Sequence, residues 1–489
     1  MRQQPDVLAA LAVTRFGLGA RPGEIAALAS DARGWLEAQI TPDGAPQPTA
    51  SLPSSHDQLS AFRAYQADRR ERRQDRRNAD PATAAMVRSQ AATMQAPAAA
   101  AESPQSMAGE TQAAFDAARE SRRDLRQDIG AEFLARAQHG ATTDAGFAER
   151  WALFWANNFA VSATKFQSGI FAGPFEREAI RPRVFGRFDD LVIAAEQHPA
   201  MLTYLDQVQS VGPNSRAGQR RNAGLNENLA REVMELHTLG TDGGYAQSDV
   251  TELARALTGW ATPLARQARS DRAFAFRPQV HEPGPRTLLG KTYPEGGVAQ
   301  GEAMLRDLAN HPATARRAAK RIATHFVSDN PPPEVVTALE RTWIDSGGDL
   351  AAVARALITA PDAWNPGPTK FKTPYEFVIS AHRAFGTAPQ RIQALQQPLL
   401  EMGQPPFSPP SPEGWPDTAA DWAGPDAIVK RLDWARQVGA RTGQTDPVTT
   451  ASAALGPRIG DRTRQTVARA ESRAEGMTLF LMSPEFQRR

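Results

Sequence analysis

Residues 225–239, LNENLAREVMELHTL, put ionisable groups where a helix ordinarily buries leucine. At about 100° per residue, Leu225, Leu229, Val233, Leu236 and Leu239 share one stripe, and Glu232 falls inside it. Asn228 and Glu235 lie on the edge of that stripe, with Arg231 just beyond. A carboxylate on an apolar face must be paired or protonated, so the spacing predicts a buried polar cluster of Asn228, Arg231, Glu232 and Glu235. Two kinds of chemistry suit such a cluster. One is structural, an ion-pair network that pins helix packing. The other is functional: a Glu232 with raised pKa acts as acid or base, Glu235 and His237 stand by as further catalytic candidates, and Arg231 or Lys320 steadies developing negative charge. His237 projects about 140° away from Glu232, so no Glu–His dyad is expected between those two, and His237 is left to meet another segment.

Further candidates come from three other stretches. In AGFAERWALFWANNFAVSATK (145–165), Phe147, Trp151, Phe154 and Trp155 form an aromatic wall with Asn158 in its midst. The wall is either core with a satisfied amide, or a pocket side on which Trp155 and Asn158 touch a ligand. His281 sits in the Pro- and Gly-rich section that follows Trp260, where a loop on a rigid scaffold is a place for function. Lys372 directly precedes Thr373-Pro374-Tyr375-Glu376, a capping box, and so stands at the positive end of a helix where anions are favoured. Arg316 and Lys320, one turn apart in NHPATARRAAKRIATHF, are placed to answer the carboxylates of the central helix.

Much common chemistry has no signature here. The sequence lacks a phosphate-binding P-loop, a strand-borne G-x-G-x-x-G, an H-E-x-x-H and a G-x-S-x-G. The 8 histidines include no pair at i, i+3 or i, i+4, so no metal site is expected; no cofactor is indicated either. With no cysteine there is no disulfide framework and no thiol nucleophile. The 56 Lys+Arg nearly balance the 54 Asp+Glu, so no nucleic-acid partner is expected. No run of 18 apolar residues predicts a membrane span. The N-terminal stretch shows no signal peptide, which reads as cytoplasmic.

The elements that must position these groups are helical. Strand alternation is nearly absent across the 489 residues, so the expected fold is all-α, one large multi-helix unit with long irregular loops and at most a minor β-hairpin. Residues 1–54 read as an N-terminal helical segment packing on the core, 55–130 as a variable Arg- and Ala-rich insertion, and 131–489 as the main helical domain. Within the insertion, residues 69–77 read as a solvated helix face and 81–112 as flexible or loosely held. Gly240 closes the central helix, Ser248 or Asp249 caps the next one, and residues 403–416 form a Pro-rich strap carrying Phe407 and Trp415.

RWALFWANNFAVSATK, HPAMLTYLDQ, NENLAREVMELHTLGTDGGYAQSDVTELARALTGW, HEPGPRTLLGKTY, HPATARRAAKRIATHFVSDNPP, KFKTPYEFV and GQPPFSPPSPEGWP, in this order and spacing, resemble the bacterial "domain of unknown function 1800" family. RFGLGARPGEIAAL…WLEAQI resembles that family's start, so the likeness covers nearly the whole chain and is weakest over residues 55–130. It implies one large helical unit and no assigned activity. Relatives often look exported, and their genes lie beside a sulfatase-like family, which implies a sulfatase-like partner by association. The family often shows His where this chain has Asn158, and this chain lacks the export signal that the likeness leads one to expect. The function expected is recognition or processing of a polar, anionic or glycan-like ligand in a buried polar pocket. The rival is a non-catalytic binding or assembly protein in which the cluster is structural.

Overall fold

Helical periodicity runs through the chain, and the computed structural model bears it out. It describes residues 4–78, 105–220, 224–263, 273–365, 367, 370–442 and 445–489. In chain order the elements used below are α1 (Pro5–Leu11), α2 (Ser55–Asn78), α3 (Gln105–Thr142), α4 (Gly146–Asn158), α5 (Phe188–Gln197), α6 (Asn228–Glu232), α7 (Gln247–Leu257), α8 (Pro312–Phe326), α9 (Pro374–Ala384), α10 (Pro425–Arg441) and α11 (Arg473–Leu481). Strand is confined, among the described residues, to two antiparallel hairpins. Trp260–Ala261 pairs with Ala275–Phe276, and Arg286–Leu288 pairs with Lys291–Tyr293. Both fall in the irregular section that the Pro and Gly content marks, where the sequence suggests only one. Among the described residues no helix is long and apolar enough to cross a membrane.

Local signals set several helix starts. Thr373 and Glu376 form the reciprocal box expected at α9: Thr373 Oγ1 accepts the Glu376 N–H at 3.3 Å, and a Glu376 carboxylate oxygen accepts the Thr373 N–H at 2.9 Å. His311 caps α8 through Nδ1, which accepts the Ala313 N–H at 3.2 Å with Pro312 next in line. The expected start of α7 is corrected. Asp249 is not its cap; the helix begins at Gln247, and Asp249 reaches back to the Ala246 N–H at 2.8 Å. Gly240 adopts φ +89°, and its N–H donates to the Met234 carbonyl at 3.0 Å, which closes the central helix as expected. α2 and α3 pack on one another, with Arg69 and Arg70 of the arginine run exposed. Of the insertion expected to be loosely held, residues 81–104 lie outside the described residues.

Apolar side chains gather into two cores. The larger takes in Leu11, Phe16, Trp151, Trp155, Phe188, Leu229, Val233, Leu253, Ile322 and Trp343. The second is built on the C-terminal helices, with Phe377, Leu399, Trp434, Leu455, Phe480 and Phe486, and it includes Leu18 and Phe133 from earlier in the chain. α3, α4 and α8 run along the seam between them. That seam holds the charged cavity described next.

Candidate functional site

The central helix does not bury the cluster expected of it. At Val233–His237 the α-helix widens into a π turn. Its i→i+5 bonding returns residues four apart to nearly one direction. Leu229, Val233 and His237 therefore face inward together, and Leu236 is left half-buried. Asn228 is exposed, and Arg231 lies 3.4 Å from both Glu227 and Glu235 in a half-exposed ladder. Glu232 is half-buried; burial pushes its carboxyl up, with His237 opposing and Glu235 reinforcing. His237 does meet another segment, as its Nδ1 lies 2.7 Å from Oε1 of Glu196 on α5.

The remaining candidates are dispersed. Trp155 is core, packed on Phe188 and Trp343. Lys320 is exposed and turned away from the central helix, because the inward positions of α8 are taken by Ala315, Ala318, Ala319 and Ile322. His281 is buried against Thr258 at the end of α7, 2.8 Å from its carbonyl oxygen, and against Phe276. Lys372 is not an open anion site. Its ammonium is buried, donates to Ser380 Oγ at 3.0 Å, and lies 4.0 Å from the centre of the Phe486 ring. Burial, with Arg458 second, drives its pKa well below the usual lysine value.

The side chains equipped for chemistry meet instead in a cavity of about 110 Å³ at the seam. Its walls come from α3 (Phe133, Arg136), α4 (Arg150, Leu153, Asn157), α8 (His325), α9 (Tyr375, Glu376), the strap (Phe407, Trp415) and Asp417 at the strap's C-terminal end. The face of α4 that opens on it is opposite the aromatic wall, where Ala156, and Ala160 just past the helix end, line the space. The strap is fixed to α4 by Asn157, whose amide accepts the Trp415 N–H at 2.8 Å and donates to the Trp415 carbonyl at 2.9 Å.

Three charged constellations border this space. Glu376 accepts from Arg150 and from Arg489 Nε at 3.3 Å, while its carboxylate also caps α9. Burial alone would raise it, but Arg150 and Arg489 hold it well below the carboxylate range. Arg136 is boxed by aromatic rings, 4.7 Å from the centroid of Tyr375, 5.4 Å from Phe133 and 5.5 Å from Phe407. It reaches Glu176 at 3.3 Å, and Glu176 passes on to the fully buried Arg181–Glu149 pair. His325 Nδ1 lies 2.9 Å from Asp417 Oδ2. Burial lowers the His325 pKa against the pull of Asp417; Asp417, raised by burial but lowered by His325, Lys370 and Arg489, falls to about 2. The imidazole is thus neutral and the carboxylate charged. An ionised carboxylate only accepts, so Nδ1 carries the proton and Nε2 keeps its lone pair. That Nε2 is buried and, among the described residues, has no hydrogen-bond partner.

A model of the family described as "Protein of unknown function (DUF1800)" matches residues 11–488. The chain belongs to that family. No curated protein and no solved structure matches it. The DUF1800 match takes in every residue of the cavity wall.

Sequence reasoning missed His325, Asp417, Arg136 and Arg150 in this DUF1800 chain. A signal for one of them was present: Glu149-Arg150 interrupts an aromatic run in the same manner as Glu232 interrupts a leucine stripe. His325 and Asp417 are 92 positions apart, and no local pattern joins them.

Proposed function

We propose that the seam cavity binds the polar end of a small ligand, glycan-like or anionic, and that His325 is its acid/base group. The observation that carries this reading is the His325–Asp417 pair at 2.9 Å, with Nε2, on a cavity wall, unpartnered among the described residues. A neutral imidazole oriented by a carboxylate accepts a proton from a bound hydroxyl or water and can return it. Glu376, fixed as a carboxylate by two arginines, serves as an acceptor rather than an acid. The faces of Tyr375, Phe407 and Trp415 suit the apolar side of a sugar ring, and Arg136 suits an anionic group. Glu232 and Glu235, which the sequence put forward, line no part of this cavity.

The test is a panel of mono- and oligosaccharides, sugar acids and small carboxylates, assayed for binding by calorimetry and for turnover. A binder whose turnover falls by about a hundredfold or more in His325→Gln, with Kd little changed, supports acid/base work. Failure of the whole panel to bind, or binding indifferent to both His325→Gln and Phe407→Ala, sinks the proposal.

The mutual pairing of Arg136, Arg150, Glu176, Glu376 and Arg489 favours a second reading, in which the charges only lock the seam and the chain acts by assembly. A sulfatase-like protein is the partner proposed for that case. Its capture in a pull-down, with no small-molecule binding, would favour assembly over chemistry.

A further inference from the structure

Arg317 and Arg321 stand one turn apart on α8. Arg321 donates to Asn158 Oδ1 at 2.6 Å. Arg317 lies against the turn that ends the central helix: a Cβ added to Gly240 would sit 3.0 Å from its Cδ. Both arginines are half-buried. Among the described residues, neither guanidinium has a carboxylate at ion-pair distance, and that of Arg317 makes no hydrogen bond. Glu413 on the strap and Asp417 at its end act on them only from further away. The third group is Asn158. This residue is 3% exposed, and with Oδ1 given to Arg321 its Nδ2 has no acceptor among the described residues.

Two cations and a buried amide N–H therefore stand together, and the Asn158 Oδ1 that Arg321 already uses is the one acceptor among them. Leaving them so is costly. The buried Asn158 N–H gives up its hydrogen bond to water without replacing it, and the neighbouring like charges repel. Burial, followed by the neighbouring Arg321, lowers Arg317 to about 9. One kind of group relieves all three at once, a compact acceptor with several oxygens and negative charge.

We infer that Arg317, Arg321 and Asn158 form an oxyanion site, which takes a phosphate, sulfate or carboxylate group. It is separate from the seam cavity, whose wall includes none of the three. It holds whether or not His325 does chemistry.

The experiment uses the full chain, with inorganic phosphate, sulfate and acetate each titrated against chloride at constant ionic strength, read by thermal shift and calorimetry. At least one of the three oxyanions is expected to bind saturably, and which of them binds identifies the source. Arg317→Met should raise the midpoint by about tenfold or more, the loss of one charge-assisted contact. Asn158→Asp, nearly isosteric, puts a carboxylate beside the arginines; it should abolish the response and raise the thermal midpoint of the anion-free protein. Should Arg317→Met fail to fold, Asn158→Asp decides alone. No saturable response beyond chloride, or a wild-type response in Asn158→Asp, overturns the assignment.

Discussion

His237 Nδ1 and Glu196 Oε1 meet at 2.7 Å with both side chains wholly shielded from solvent. The π turn makes this possible. Without it His237 would lie on the outer side of the helix, and Glu196 would be a buried carboxylate with no partner. Removing one member leaves the other as a buried polar group without its partner, at a cost of about 1–3 kcal/mol. The surface ladder through Arg231, with its side chain 39% exposed, is worth no more than about 1 kcal/mol. Glu196→Ala should therefore lower the urea midpoint far more than Arg231→Ala does. Equal shifts would show that the buried pair is not what holds this helix.

The same turn explains what the sequence could and could not tell. Helix content, the caps at His311 and Thr373, the closing glycine at 240 and the strap all rest on local chemistry, and each is found where expected. The inward direction of single polar residues rests on phase. A uniform 100° step fails at Val233–His237, so Glu232 and His237 exchange roles. On α8 the phase is off by one residue: Arg321 turns to Asn158 at the end of α4 and Arg317 to Gly240, while Lys320 is exposed and Arg316 meets Glu340 at 3.3 Å near the surface. The cavity depends on a third kind of information. Arg136, Arg150, His325, Glu376 and Asp417 come from five segments, and only the docking of two cores brings them together.

Acid should unfold the protein early, and His382 gives a single handle on this. Burial, reinforced by Arg441, lowers its pKa from 6.5 to about 4. In the unfolded chain this histidine takes up a proton below about 6.5, whereas in the fold it resists until about 4. The unfolded state thus binds more protons in that window, and stability falls as pH falls through it. His325 and His198, also lowered by burial, add to the same slope. Asp417 adds its own loss further down, between 3.8 and about 2. His382→Gln should flatten the plot of thermal midpoint against pH between about 6.5 and about 4 and leave the region above pH 7 unchanged. An unaltered slope would mean that this histidine is as free in the fold as in the unfolded chain.

The strap makes the last test, because it carries a wall of the cavity and runs directly into Asp417. Its path is held by paired backbone contacts: the Phe407 carbonyl accepts the Ala163 N–H at 2.6 Å, and Asn157 grips both polar groups of Trp415. Phe407 sits at φ +47°, a left-handed conformation that costs a non-glycine residue about 1–2 kcal/mol. A segment strained at one end depends on its clamp at the other. Asn157→Ala removes two hydrogen bonds and leaves the Trp415 backbone groups unmatched, a loss of about 2–3 kcal/mol. The expected result is faster proteolytic nicking within residues 403–416 and a weaker His325–Asp417 contact, read as an upfield move of the His325 Nδ1 proton resonance. Nicking at the wild-type rate would mean that the Asn157 grip is dispensable, and that the remaining strap contacts keep Asp417 against His325 by themselves.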